Sequence, residues 1–332
     1  MSSYPAPPAP AGAPAPWGRA PVPVPTVFAY HRLLRAQPDY RWWRPLVAVA
    51  VAGAAILATN VSISIMLVVA VGAERGFDAL LDPTIAADAI LDAGSPLSLL
   101  LGLGSVAVWL PCVFLGCVVA GIRPLGALHS VAGRFRWRWL LSCLWPAFAI
   151  VGVTILVTAV ILPLAFGETL YPPSVPAGTL LLSVLVILLL VPFQAAAEEY
   201  VFRGLLMQAL GSWVAFPLLA LVLPTLLFTL GHLYDIWGLI DVAIFGLVAA
   251  WLTWRTGGLE AAIALHVANN VVVFLVLASG VGGGTAVTSE TGGPLALIPS
   301  VLMEGAYVAL VLWQGRRARL ATTASGVMWR WR

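Results

Sequence analysis

Apolar stretches of about 20 residues recur along this 332-residue chain, and each is long enough to cross a bilayer as a helix. A chain that is 61% hydrophobic and 9% charged cannot cover such stretches with polar surface, which excludes an ordinary soluble domain. The runs lack the period-two alternation of barrel strands. The expectation is therefore an all-α polytopic membrane protein. Eight spans are expected, at roughly 46–72, 97–122, 139–165, 178–210, 213–233, 237–254, 258–278 and 296–314.

The flanking segments read differently. Residues 1–26 are rich in Pro and Ala and should form a disordered or polyproline tail, with no cleavable signal ahead of the first span. Residues 27–45 mix arginine with aromatics, a juxtamembrane composition suited to the bilayer interface. The transmembrane domain runs over 46–314, and residues 315–332 form a basic tail. The Gly-, Ser- and Thr-rich stretch 279–295 should be a flexible loop.

Charge sets the expected topology. The loop after the first span holds Glu74, Asp78, Asp82, Asp88 and Asp92 against Arg75 alone. The loop after the second holds Arg123, Arg134, Arg136 and Arg138 with no acid. Arginine excess marks the cytoplasmic side, so both termini are expected inside a cell membrane. The net charge of +3 is spread over these loops and is no nucleic-acid signal. Cys112, Cys117 and Cys143 lie in or beside apolar spans, form no metal-ligand spacing, and read as small buried side chains.

Three polar clusters interrupt the apolar segments: Glu198-Glu199-x-x-x-Arg203, Phe228-x-x-x-His232 and His266-x-x-x-Asn270. Ionisable groups at membrane depth are costly unless paired or wet, so they mark function. Glu199 and Arg203, four apart, can pair on one helix face, while Glu198 projects about 100° away. Pro192 should kink this segment near Glu198. Burial makes an unpaired carboxylate a useful general base. His266 and Asn270 share a face and can bind a water, a metal or a developing oxyanion. A structural ion pair and an interhelical hydrogen bond are the plainer alternatives for the first and third clusters. His232 gains weight only from its company. Simple spans of equal length would put it and His266 at different depths, so a shared site requires kinked, tilted or shifted segments. The familiar zinc-helix and serine-elbow motifs are absent from the sequence.

Ala-Glu198-Glu199-Tyr-Val-Phe-Arg203-Gly204-Leu-Leu, then Phe228-Thr-Leu-Gly-His232, then His266-Val-Ala-Asn-Asn270 resemble the three motifs of the CAAX-protease and bacteriocin-processing (Abi) family. That family comprises intramembrane proteases related to the type II CAAX prenyl endopeptidase, and the resemblance covers roughly residues 178–278. It implies an intramembrane endopeptidase acting on a membrane-associated peptide or protein. Glu198 would activate water, His232, His266 and Asn270 would complete the site, and Glu199 and Arg203 would be structural or substrate-orienting. It leaves open a divalent metal such as zinc, which His232, His266 and Glu198 would hold. Two other classes compete: a non-catalytic immunity or scaffold protein using the same cavity, and a proton-coupled transporter. The second should show interrupted helices in corresponding halves, whereas all three clusters lie in the second half.

Overall fold

The computed structural model describes residues 27–37, 39–76, 92–170, 172–281, 284–285 and 293–325. The expected Pro-rich tail 1–26, the end of the basic tail from 326 on, and most of the acidic loop and of the 279–295 loop lie outside these residues.

The described residues are mostly helical. It comprises α1 (Arg44–Arg75), α2 (Pro96–Ala107), α3 (Trp109–Val119), α4 (Trp137–Leu156), α5 (Ala177–Glu199), α6 (Met207–Trp213), α7 (Pro217–Leu230), α8 (Ile236–Thr256), α9 (Glu260–Ser279) and α10 (Leu297–Arg317). Two three-residue strands, β1 (Val27–Ala29) and β2 (Thr323–Ser325), complete it. Among the described residues, seven helical stretches are long and apolar enough to cross a membrane: Arg44–Met66, Pro96–Val119, Trp137–Ala165, Ala177–Trp213, Ile236–Thr256, Glu260–Ser279 and Pro294–Arg317. This is a multi-pass membrane protein.

All eight expected segments are helices, but the fifth falls short of a span. In place of 213–233 stands α7, a 14-residue helix. At 1.5 Å per residue it reaches about 21 Å, against a hydrocarbon core of about 30 Å. Its limits are local. Pro217 fixes its first position, Gly231 follows its end, and the Asp235 carboxylate caps α8 by accepting the Gly238 amide at 2.8 Å. The fourth segment overshoots instead, running continuously for 37 residues from Ala177 to Trp213. Pro192 stays inside α5. The irregularity begins directly after the glutamates, where residues Tyr200–Leu206 form a π-helical stretch.

The centre of the bundle is α9. Residues 260–268 are buried without a break, and four of those nine are alanine, which lets neighbouring backbones approach closely. It packs against α4, α5 and α8. A buried ion pair fixes its lower end. Arg136 grips Glu260 with two donors, Nη2 at 2.6 Å and Nε at 2.9 Å, and its Nη1 reaches the carbonyls of Thr256 and Ala321.

β1 and β2 pair antiparallel, Phe28 opposite Ala324, so the two ends of the described chain meet on one face of the bundle. Residues 27–45 do more than line an interface. Tyr30, Leu33 and Leu34 are buried, and Tyr30 Oη donates to the Leu128 carbonyl at 2.5 Å. Trp213 Nε1 donates to the Trp42 carbonyl at 2.9 Å. This segment reaches α6 so closely that a Cβ on Gly211 would stand 1.9 Å from the His31 carbonyl oxygen. Gly211→Ala is accordingly expected to cost about 1–3 kcal/mol through forced displacement of backbone. A lowered midpoint of thermal unfolding in detergent checks it, and an unchanged midpoint contradicts the close packing.

Two histidines on this face carry a pH consequence. Burial holds His31 below the usual histidine range, against the Ala215 carbonyl bond that favours its charge. Burial does the same to His129, against the pull of the Glu260 carboxylate. A base depressed in the folded state binds its proton more readily when unfolded. Stability from these groups is therefore complete above about pH 6.5 and lost as pH falls from there through the folded values. Between pH 7 and 5 the unfolding midpoint of wild type should fall more steeply than that of His31→Gln/His129→Gln. Equal slopes would show that other groups set the dependence.

Candidate functional site

The site is built on α5, its π extension, α9 and the end of α7. Glu199 and Arg203 form a buried pair, with Arg203 Nη1 at 3.0 Å from Glu199 Oε1. Arg203 Nη2 donates to the Gly246 carbonyl at 3.0 Å, and its guanidinium lies 4.4 Å from the Phe228 ring centre. Two neutralising contacts and a π face suit a guanidinium at this depth.

His266 stands between the two glutamates. Its Nδ1 is 2.8 Å from Glu199 Oε1 and its Nε2 is 3.2 Å from Glu198 Oε2. A carboxylate only accepts, so Nδ1 donates to Glu199, and a proton on Nε2 would donate to Glu198. With that proton the cluster holds two negative and two positive groups and is neutral, the arrangement a low-dielectric setting tolerates best. The glutamates differ in access: Glu198 is 9% exposed and Glu199 is 0%. Glu198 alone of the two can meet water.

Asn270 reaches Glu198 through a side chain that the motifs do not include. Asn270 Nδ2 donates to Gln194 Oε1 at 3.0 Å, and Gln194 Nε2 donates to Glu198 Oε2 at 2.8 Å. Gln194 lies four residues before Glu198 on α5, a helix neighbour inside an apolar span, and that spacing was the available signal. Asn269 also joins this network, donating to Asn270 Oδ1 at 3.2 Å.

His232 touches none of these groups directly. Its Nδ1 is 2.9 Å from the Phe228 carbonyl, and its ring packs on Phe228 at 4.8 Å between centroids. The Phe228 ring in turn stands 6.0 Å from the His266 ring, edge to face. Phe228 is the hub of the second motif, touching Arg203 and both histidines, while Phe245 closes over His266 at 5.1 Å. Although equal spans would set the two histidines at different depths, Phe228 near the end of the short α7 contacts both of their rings.

The metal option fits this donor set poorly. Both ring nitrogens of His266 already face carboxylates, and His232 is an aromatic ring away. Among the described residues no three His, Cys, Asp or Glu side chains stand together as metal ligands.

Residues 178–272 match the family described as Type II CAAX prenyl endopeptidase Rce1-like. Glu198, Arg203, His232, His266 and Asn270 all fall within that stretch. Among curated proteins the chain is similar to "Uncharacterized protein YyaK" of Bacillus subtilis (strain 168), 29% identical over 144 residues, or 40% of this chain and 48% of that relative. The chain thus spans about half the length of the relative it matches. No solved structure matches it.

Proposed function

We propose that this membrane protein, whose residues 178–272 carry a CAAX-prenyl-endopeptidase-like domain, hydrolyses a peptide bond of a membrane-associated peptide or protein. The observation that carries this reading is the unequal pair of glutamates on one histidine, the water-accessible Glu198 on Nε2 and the sealed Glu199 on Nδ1. Glu199, neutralised by Arg203, holds the Nδ1–H of His266 and fixes its ring plane. Glu198 takes a proton from water, and the resulting hydroxide adds to the scissile carbonyl carbon. The second amide proton of Asn270, not used on Gln194, donates to the oxyanion. His266 Nε2 gives a proton to the departing amine as the C–N bond breaks and regains one from Glu198, and the new carboxyl group gives up its own proton to the amine, leaving one new carboxylate and one new ammonium. His232 packs on the Phe228 ring, which also contacts His266.

We place the arginine-rich face, where β1 and β2 pair, in the cytoplasm. His266 lies six residues from the Glu260 end of α9 on that face, about 9 Å along the helix. The substrate bond is therefore cut close to the inner membrane surface.

The test uses the full chain in lipid vesicles with membrane-anchored peptides in H2¹⁸O. Hydrolysis puts one heavy oxygen into each new C-terminus, detected by mass spectrometry. Absence of labelled product above the Glu198→Gln background, across peptides with apolar and lipid-modified anchors, overturns the proposal.

A further inference from the structure

A cleft of about 720 Å³ opens between the start of α4 and the end of α10, away from the glutamate site. We propose that it binds the phosphate headgroup of an anionic phospholipid from the surrounding bilayer.

Charge is the first argument. Arg134, Arg136, Arg138 and Arg317 line the cleft, and among the described residues no carboxylate does. Arg136 is already neutralised by Glu260. Arg134, Arg138 and Arg317 have no acidic partner among the described residues. Three uncompensated guanidinium groups around one concavity call for an anion, and planar donor forks suit phosphate oxygens.

The second argument is an unmet hydrogen bond. Trp139 lines the cleft, is 6% exposed, and its Nε1–H has no partner among the described residues. Gln314, also in the lining, leaves Oε1 without a donor. A phosphodiester accepts from the indole, and a hydroxyl on the headgroup donates to the amide oxygen.

The third argument is position, and it selects a lipid over a free anion. Both bounding helices end here, at the face where β1 and β2 meet, which is headgroup depth for spans of this length. Trp137 and Trp313 are 67% and 48% exposed at the rim, and the Arg317 guanidinium stacks 4.1 Å from the Trp313 ring centre. Leu141 and Trp145 continue along α4 at 61% and 62% exposure, an apolar track for the acyl chains leaving the headgroup.

The probe is dioctanoyl phosphatidylglycerol, added to the purified full chain in uncharged detergent and read by native mass spectrometry and thermal unfolding. Dioctanoyl phosphatidylcholine and inorganic phosphate are the comparison arms. One saturable phosphatidylglycerol per chain is expected, with both comparison ligands at least about tenfold weaker. Arg134→Gln/Arg138→Gln/Arg317→Gln should weaken it by about 100-fold, roughly fivefold per arginine at about 1 kcal/mol each. Arg316→Gln/Arg319→Gln, which removes charge outside the cleft, should stay within about twofold. Equal binding by the triple variant, or equal loss in the outside pair, overturns the site. Phosphate binding as tightly as the lipid overturns the lipid as occupant. Should the triple variant fail to fold, Arg317→Gln alone and the preference for phosphatidylglycerol over phosphatidylcholine decide the matter, and unchanged binding or no preference rejects it.

Discussion

Glu198→Gln is expected to lower peptide-bond cleavage by roughly 10²–10⁴-fold, the usual worth of a positioned general base, while the protein still folds. The substitution is nearly isosteric. A glutamine at 198 can still accept from Gln194 Nε2, now 2.8 Å from the carboxylate, and keeps its place beside His266. What disappears is the only water-accessible group of the cluster able to take a proton. Glu199→Gln provides the contrast, because Glu199 has no exposure and answers Arg203. Its main effect should appear in folded yield. Cleavage by Glu198→Gln within about tenfold of wild type would remove Glu198 from the role of general base.

Arg203→Ala is expected to cost about 3–5 kcal/mol, because it leaves the Glu199 charge buried with only His266 to answer it. The loss extends past the pair. The Gly246 carbonyl loses the guanidinium and keeps only the Thr225 hydroxyl, at 3.3 Å, as a side-chain donor, and the Phe228 ring loses its cation. Arg203→Lys keeps the charge and gives up the fork, so it should fall between wild type and Arg203→Ala. Glu199→Ala/Arg203→Ala should regain part of the loss, since no lone charge then remains. The measurements are folded yield and unfolding midpoint in one detergent. An Arg203→Ala protein as abundant and as heat-stable as wild type would mean that the pair carries little of the fold's stability.

Architecture was legible where one physical demand dominated. Runs of apolar residues near bilayer length gave the positions of the helices, because hydrocarbon permits little else. The true length of α7 was less legible. Its composition is as apolar as its neighbours', and what ends it is a proline at one side and a glycine at the other. The packing of residues 27–45 was hidden for a similar reason: arginine with tryptophan suits an interface, and only tertiary contact shows Tyr30 buried against Leu128. At the site, Glu199 with Arg203 and His266 with Asn270 followed from helical spacing. The convergence of α5 and α9 rested on the family resemblance, and Gln194 went unread because a single amide in an apolar span lacks a charge to draw notice. Arg136 with Glu260 escaped altogether. The two are 124 residues apart, and no local pattern joins them.

The burial of α9 bears on how the protein is made. This helix stands at the middle of the bundle, yet it is the last spanning segment but one to be synthesised. Until it arrives, α4, α5 and α8 enclose an unfilled core, and Glu199 and Arg203 lack the histidine that completes their cluster. Insertion of the earlier helices therefore yields an open cradle rather than a half-finished bundle. Assembly is gated by a late keystone: the same step that fills the core with alanine delivers His266 and Asn270, so a chain acquires its packed interior and its assembled polar cluster together.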